Sequence, residues 1–100
     1  MKFAGFDWDD GNRRKCQKHR LEPAEIEDMI LNQPAVFPDP AHSTAEKRLR
    51  AIGQTSTGHY VFVAFTLRRD ADDTVFIRPI SARYMHEKEI HHYERQRQKS

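Results

Sequence analysis

The sequence predicts an α+β fold, in which helices pack on a small antiparallel sheet. Two helical segments follow a short alternating segment, three strand-like segments come in close succession, and a charged helical segment ends the chain. The links between the strand-like segments are only a few residues long, and such links join antiparallel neighbours. The expected order of elements is therefore β-α-α-β-β-β-α.

The first segment combines a short strand with a polar helix. Phe6 and Trp8 alternate with aspartates, which is typical of a strand with one buried face, so we assign both aromatic rings to the core. Asp9 or Asp10 is then placed to cap a helix over residues 11–19. Because Cys16 is the one apolar residue available for burial in that stretch, the helix must lie on the surface.

The second helix is predicted from its boundaries and its apolar spacing. Pro23 suits a first helical position, Asn32 can end the helix, and Pro34 prevents it from continuing. Residues 34–43 contain three prolines and are predicted to be an extended loop. The apolar residues at helical spacing are Ile26, Met29 and Ile30.

Three strands are predicted after this loop, at residues 48–54, 59–67 and 74–81. The middle one carries apolar groups on both faces and should lie in the centre of the sheet. Residues 55–58 and 69–73 are predicted to be the turns between them.

The end of the chain contains a proline in a strand and a charged helix. Pro79 lacks an N–H, so the last strand should be an edge strand or carry a bulge at that point. Ser81 is placed to cap the final helix, in which Ile90 and Tyr93 lie one turn apart. We expect a single domain over residues 1–94 and a charged, frayed tail over 95–100.

Composition excludes several classes of protein. The chain has 100 residues, a formal net charge of +2 and a single cysteine, Cys16, so it lacks an intramolecular disulfide and a multi-cysteine zinc site. The histidines of segment 86–92 lack the spacing of the zinc-protease motif and are expected on a solvated helix face. We expect a cytoplasmic protein that needs neither cofactor nor metal and has no membrane span.

Arginines in the predicted strands are the main candidates for chemistry. A guanidinium group binds two phosphate oxygens at once and stays charged at physiological pH, so arginines can stabilise the phosphorane that forms when RNA is cut. Each can equally form a salt bridge or lie in solvent. The candidate catalytic arginines are Arg48, Arg68, Arg78 and Arg83.

Other side chains can transfer protons or bind the substrate. His19 is the candidate acid or base because histidine exchanges protons near neutral pH, but it can also complement the end of its helix. Glu46 is a further possible base. Strand alternation places Arg78 on one face with Phe76 and Ile80. The candidate substrate-binding residues are Lys18, Thr66, Ser81 and Tyr84.

These residues together resemble the BrnT toxins. The resemblance runs from about Phe6 to Glu94 and rests on the order of several short motifs. They are Phe6-x-Trp8-Asp9, Lys18-His19, Asp39-Pro40, Arg48 before Ile52-Gly53, Thr66-x-Arg68, Ile77-Arg78-x-Ile80-Ser81-Ala82-Arg83 and Tyr93-Glu94. The resemblance implies a RelE-like fold and metal-independent endoribonuclease activity. It also implies a BrnA-like antitoxin, whose ribbon-helix-helix part binds operator DNA.

The chain departs from the family pattern at three positions. Arg20 stands where the family commonly has glycine, Lys47 where it has glutamate, and Pro79 where it has isoleucine. Arg20 and Lys47 are consistent with an alternative function, that of a catalytically inactive homologue that binds RNA or an antitoxin. A DNA-binding domain is a third possibility, with the basic first helix as its candidate contact.

Overall fold

The computed structural model describes residues 2–43 and 45–98, and these form five strands and three α-helices. A 3-10 turn, Pro40–His42, links the second and third strands. In chain order the elements are β1 (Gly5–Phe6), α1 (Asp10–Gln17), α2 (Pro23–Leu31), β2 (Ala35–Pro38), β3 (Arg48–Gln54), β4 (Tyr60–Arg69), β5 (Val75–Tyr84) and α3 (Glu87–Gln98). The α+β fold class is confirmed. None of the helices in the described residues has the length and apolar character needed to cross a lipid bilayer.

The strands form one sheet in the order β1-β5-β4-β3-β2. Strand β1 pairs with β5 in parallel, whereas the other pairs are antiparallel, so the sheet is mixed and not purely antiparallel as predicted. The predicted loop 34–43 also contains strand β2. Its prolines do not prevent pairing because Pro38 lies at the end of an edge strand, where one side needs no backbone donor.

Helices α1 and α2 cover one face of the sheet and enclose the core with it. Phe65 and Ile77 are fully buried there, as is Cys16 from α1, while Phe6 and Trp8 are partly buried and pack against this cluster. Burial raises the pKa of the Cys16 thiol to about 11. Cys16 is therefore a packing residue, as its position in a polar helix predicts.

Asn12 fixes helix α1 against strand β5. Asp9 caps the helix by accepting a hydrogen bond from the Asn12 amide at 2.9 Å, and the Asn12 side chain accepts one from the Asp9 amide at 2.7 Å. The same buried side chain donates to the carbonyl oxygens of Asp7 at 2.9 Å and Pro79 at 2.8 Å. This places the end of α1, with Lys18 and His19, beside the second half of β5.

Strand β5 carries the bulge that Pro79 predicts. Phe65 pairs with Pro79 while Ala64 pairs with Ser81, so Ile80 has no partner on β4. The bulge lets β5 continue to Tyr84, and α3 begins only at Glu87. The predicted role of Ser81 as a helix cap is therefore wrong, because Ser81 lies inside the strand.

Gly53 and Gly58 lie where a larger side chain would clash or would strain the backbone. A Cβ on Gly53 would lie 3.2 Å from the Cα of Pro34 and 3.3 Å from the Sδ of Met29, so glycine permits the close approach of α2 to β3. Gly58 has φ of 92° in the turn between β3 and β4. That turn, residues 55–58, lies where the sequence predicts it, and the second turn covers residues 70–74, one residue later than the predicted 69–73, because β4 includes Arg69.

Helix α3 lies on the opposite face of the sheet from α1 and α2. Its buried residue, Tyr93, contacts the ring of Tyr60, whose hydroxyl donates to Glu94 at 2.7 Å. The helix includes residues 95–98, which the sequence assigns to a frayed tail, while Lys99 and Ser100 lie outside the described residues. The division into a domain of residues 1–94 and a tail stays a prediction.

Arg20 adopts the left-handed backbone conformation, with φ of 67°. A side chain costs roughly 1–2 kcal/mol in that region, whereas glycine loses about 0.5–1 kcal/mol of chain entropy on folding. We expect Arg20→Gly to raise the free energy of unfolding by about 0.5 kcal/mol, measured by urea denaturation. The matched control is Arg14→Gly inside helix α1, which should lower it by about 1 kcal/mol. An equal loss in both variants would contradict strain at Arg20.

Candidate active site

The sheet face that α1 and α2 leave uncovered carries the predicted strand arginines. We call it the open face. Arg48 on β3 and Arg78 on β5 are both direct partners of Thr66 on the central strand β4. Directly paired residues project to the same side, and neighbouring strands are about 4.8 Å apart. The three residues therefore form one line across three strands, which we call the arginine row.

Unpaired donors are concentrated in and beside this row. Arg48 Nε, Arg50 Nε and the Thr66 hydroxyl are buried and make no hydrogen bond within the described structure. Buried polar groups usually have a partner, and leaving one without costs about 1–3 kcal/mol. The N–H groups and the hydroxyl can all donate, so the arrangement suits an anion that accepts several hydrogen bonds.

Arg50 is a candidate residue that the sequence analysis does not select. It pairs with Ala64, which pairs in turn with Ser81, so it lies in the line next to the arginine row. The guanidinium carbon lies 5.4 Å from the ring centre of Phe37. Strand alternation is the feature of the sequence that could have identified Arg50, because it places Arg50 on the same face of β3 as Arg48.

Arg78 is held by carboxylates at the start of helix α1. Its Nη2 donates to Asp9 Oδ2 at 2.6 Å, and its Nη1 lies 3.4 Å from Asp7 Oδ2. The Asn12 amide, and after it the Arg78 guanidinium, lowers the pKa of Asp9 below its usual value. The hydrogen bond to Asp9 in turn raises the pKa of Arg78, so this guanidinium is fixed and fully charged.

Arg48 and Arg68 have looser carboxylate partners. Arg48 Nε lies 3.9 Å from Asp39 Oδ2, which is too far for a hydrogen bond. Arg68, two residues beyond Thr66 on β4, has its Nε 3.2 Å from Glu46 Oε1, and both side chains are about half exposed. Solvent weakens the exposed Arg68 pair. The Arg48 contact is weak because it is long, so a phosphate can compete for either arginine.

Arg83 lies farther along the open face and is bound by helix α3. It pairs with Phe62, and its Nη1 and Nη2 donate to the two Glu89 oxygens at 2.7 and 2.9 Å. The hydrogen bond from Arg83, aided by the His86 amide, lowers the pKa of Glu89 from 4.5 to about 2. This two-point contact holds the first turns of α3 against the sheet.

The ion pair between Arg83 and Glu89 should make a contribution to the free energy of unfolding that is lost in acid. Because the folded pKa of Glu89 is lowered, its contribution is present above pH 4.5 and is lost as the pH falls towards about 2. We expect Glu89→Gln to make the free energy of unfolding less pH-dependent in that range, measured by urea denaturation at each pH. Glu87→Gln, with the same charge change on an exposed residue of α3, should behave like the wild type. Equal slopes in the wild type and Glu89→Gln would contradict the contact.

The predicted residues outside the arginine row gather at a cavity beside β5. Lys18 and His19 line a cavity of about 220 Å³ with Ser81 and Arg83. Neither the Lys18 nor the His19 side chain has a hydrogen bond or ion pair within the described residues. Tyr84 borders an adjoining cavity, but its hydroxyl donates to Glu25 on α2, at 3.1 Å to Oε1. Tyr84 is thus directed towards the helical face and stands apart from the others.

A family model described as the ribonuclease toxin BrnT of a type II toxin–antitoxin system matches residues 8–89. The chain belongs to the BrnT family. Among curated proteins, none matches this chain. The family confirms the resemblance found in the sequence and indicates a ribonuclease toxin with RNA as substrate and an antitoxin as partner.

The BrnT match covers every predicted site residue from Lys18 to Tyr84. The structure brings Arg48, Thr66 and Arg78 together in one line, with Arg68 at its margin. It brings Lys18, His19, Ser81 and Arg83 together around one cavity. The roles of these residues in catalysis and RNA binding stay predictions.

Proposed function

We propose that this BrnT chain is a metal-independent endoribonuclease that cleaves RNA by attack of a ribose 2′-hydroxyl on the adjacent phosphate. The observation that carries the proposal is the group of buried, unpaired donors at Arg48, Arg50 and Thr66. Each of the three can donate a hydrogen bond to a phosphate oxygen. The carboxylates of Asp7, Asp9 and Asp39 are already next to guanidinium groups of the arginine row.

Stabilisation of the phosphorane is the role we propose for the arginines. Negative charge grows on the non-bridging oxygens as the 2′-oxygen attacks, and fixed cations lower the energy of that state without first having to reorganise. Arg78 is immobilised by Asp7 and Asp9, and Arg48 presents a free Nε. Arg68 and Arg83 would complete the cationic surface when phosphate displaces Glu46 and Glu89.

Proton transfer is the role we propose for His19. It borders the cavity that contains Ser81, and the Ser81 partner Ala64 is two residues from Thr66 on β4. Ala64 and Thr66 are about 7 Å apart along the strand, and this proximity supports the proposal that His19 lies beside an RNA segment that crosses the arginine row. His19 can act as base towards the 2′-hydroxyl or as acid towards the leaving 5′-oxygen. Lys18, Thr66, Ser81 and Tyr84 would bind the substrate, and Glu46 is the other candidate base.

An antitoxin partner follows from the family, and we propose that it is BrnA-like. Its ribbon-helix-helix part would bind operator DNA, so that the toxin reaches DNA only through its partner. Its remaining part would cover the open face. The chain would act in the cytoplasm, where RNA is accessible.

The second candidate function is that of an inactive homologue that binds RNA or an antitoxin. The ion pairs favour it, since each of Arg48, Arg68, Arg78 and Arg83 has a carboxylate within 4 Å. Lys47, at a position where the family has glutamate, also favours it.

Incubation of the purified chain with a defined RNA in excess EDTA distinguishes the two functions. The nuclease proposal predicts fragments at the same rate with and without the chelator. The alternative predicts intact RNA and salt-sensitive binding. Cleavage that EDTA abolishes would overturn metal independence.

A further inference from the structure

A groove runs between the end of helix α1 and the second half of strand β5. It consists of the cavity of about 220 Å³ described above and an adjoining one of about 560 Å³. Lys18, His19 and Arg83 border both cavities, so the two adjoin each other. Lys15 borders the smaller cavity and Arg20 the larger one.

The lysines of the groove, unlike its Arg83 and the arginines of the arginine row, have no carboxylate partner among the described residues. Lys15 and Lys18 are exposed, and within the described part of the chain neither side chain has a hydrogen bond or ion pair. Arg48 and Arg78, in contrast, lie near carboxylates. Charge that no acid neutralises attracts anions from solution and exchanges bound counterions for phosphates. The groove therefore offers a polyanion positive charge that no carboxylate of the described residues neutralises.

The lining of the groove suits unpaired bases. Phe62 lies in the smaller cavity, and Tyr84 and Met85 border the larger one. Exposed bases of a single strand stack on aromatic side chains and arginine planes, and cations follow the backbone. A double helix, in contrast, presents no unpaired bases to such a lining.

We infer that the groove binds a single-stranded RNA segment that continues from the phosphate on the arginine row. Lys15 and Lys18 each contact one phosphate, and the apolar lining receives the bases. Ser81 lines the groove and pairs with Ala64, which is two residues from Thr66 on β4. The groove and the arginine row are therefore neighbours on the sheet. The inference rests on the proposed function only in taking RNA as the ligand.

An acidic protein segment is the other polyanion that the groove would attract. The observations favour RNA, because the groove joins the unpaired donors of the arginine row and combines lysines with aromatic side chains. An acidic segment would bind the lysines of the groove but would not need the unpaired donors of the arginine row.

The experiment is a fluorescence anisotropy titration with a 2′-O-methyl single-stranded RNA, which cannot be cleaved by 2′-hydroxyl attack. We expect Lys15→Gln and Lys18→Gln each to weaken binding about 4-fold at 0.15 M salt, and the double variant about 15-fold. Each change should also reduce the slope of log K against log salt by about 0.7. A duplex of equal length should bind more weakly than the single strand.

Arg13→Gln is the matched control. Arg13 is exposed on the same helix and has no ion pair within the described residues, but it lies about 200° around the axis from Lys15. The Arg13→Gln variant should bind RNA like the wild type. Equal losses in Arg13→Gln and Lys18→Gln, a duplex that binds as tightly as the single strand, or binding of polyglutamate but not of RNA would each overturn the inference. Because the RNA cannot be cleaved, an inactive chain would still show the expected binding, which separates this result from failure of the nuclease proposal.

Discussion

Arg48→Ala is expected to slow RNA cleavage about 100-fold or more. Removal of one preorganised donor from a charged transition state costs about 3 kcal/mol, which corresponds to that factor. Arg48 suits the test because its side chain is only 27% exposed while its contact to Asp39 is 3.9 Å long, so it is positioned without being tightly bound. Single-turnover cleavage of a defined RNA measures the effect.

Two further variants separate this effect from a general loss of charge. Arg69→Ala removes the same charge from an exposed residue that pairs with Val75 at the far end of β4, on the helical side of the sheet, and should leave the rate unchanged. Arg48→Lys keeps the charge but loses the planar fork, so it should give an intermediate rate. A normal rate in Arg48→Ala, or an equal loss in Arg69→Ala, would show that the arginine row does not act on the phosphate.

Phe65→Ala is expected to lower the free energy of unfolding by about 3–5 kcal/mol. Phe65 is completely buried in the central strand, between β3 and the bulge of β5. A small domain has only about 5–15 kcal/mol of stability, so the variant should be close to unfolding at 37 °C. Urea denaturation followed by circular dichroism gives the value.

Leu31→Ala is the control for apolar truncation. Leu31 is 66% exposed at the end of α2, so its removal should change the free energy of unfolding by no more than about 0.5 kcal/mol. If both variants lost the same stability, Phe65 would not be the centre of the core.

Local patterns predict most of the fold, and the misses have physical causes. Strand β3 lies at residues 48–54 as predicted, because alternation and a following turn fix both of its ends. Strand β2 was missed since its prolines suggest a loop, and only the β3 edge reveals that the segment can pair. The parallel direction of β1 depends on how the chain returns to β5, which two residues of sequence do not encode.

The candidate site depends on register, which is the part that sequence predicts least. Alternation alone puts Arg78 on one face with Ile80, but the bulge makes Ser81 the residue that shares this face. The carboxylates next to the arginines, among them Asp9 and Asp39, are distant in sequence and could not be assigned from it. The family motifs identified the arginines, and the sheet shows which of them share a line.

The termini of the cleavage products test the central claim most directly. The purified chain is incubated in EDTA with an RNA labelled at both ends, and the fragments are identified by mass spectrometry. Attack by the 2′-hydroxyl predicts a 2′,3′-cyclic phosphate on one fragment and a 5′-hydroxyl on the other. Fragments with a 3′-hydroxyl and a 5′-phosphate, or RNA that stays intact, would contradict the account.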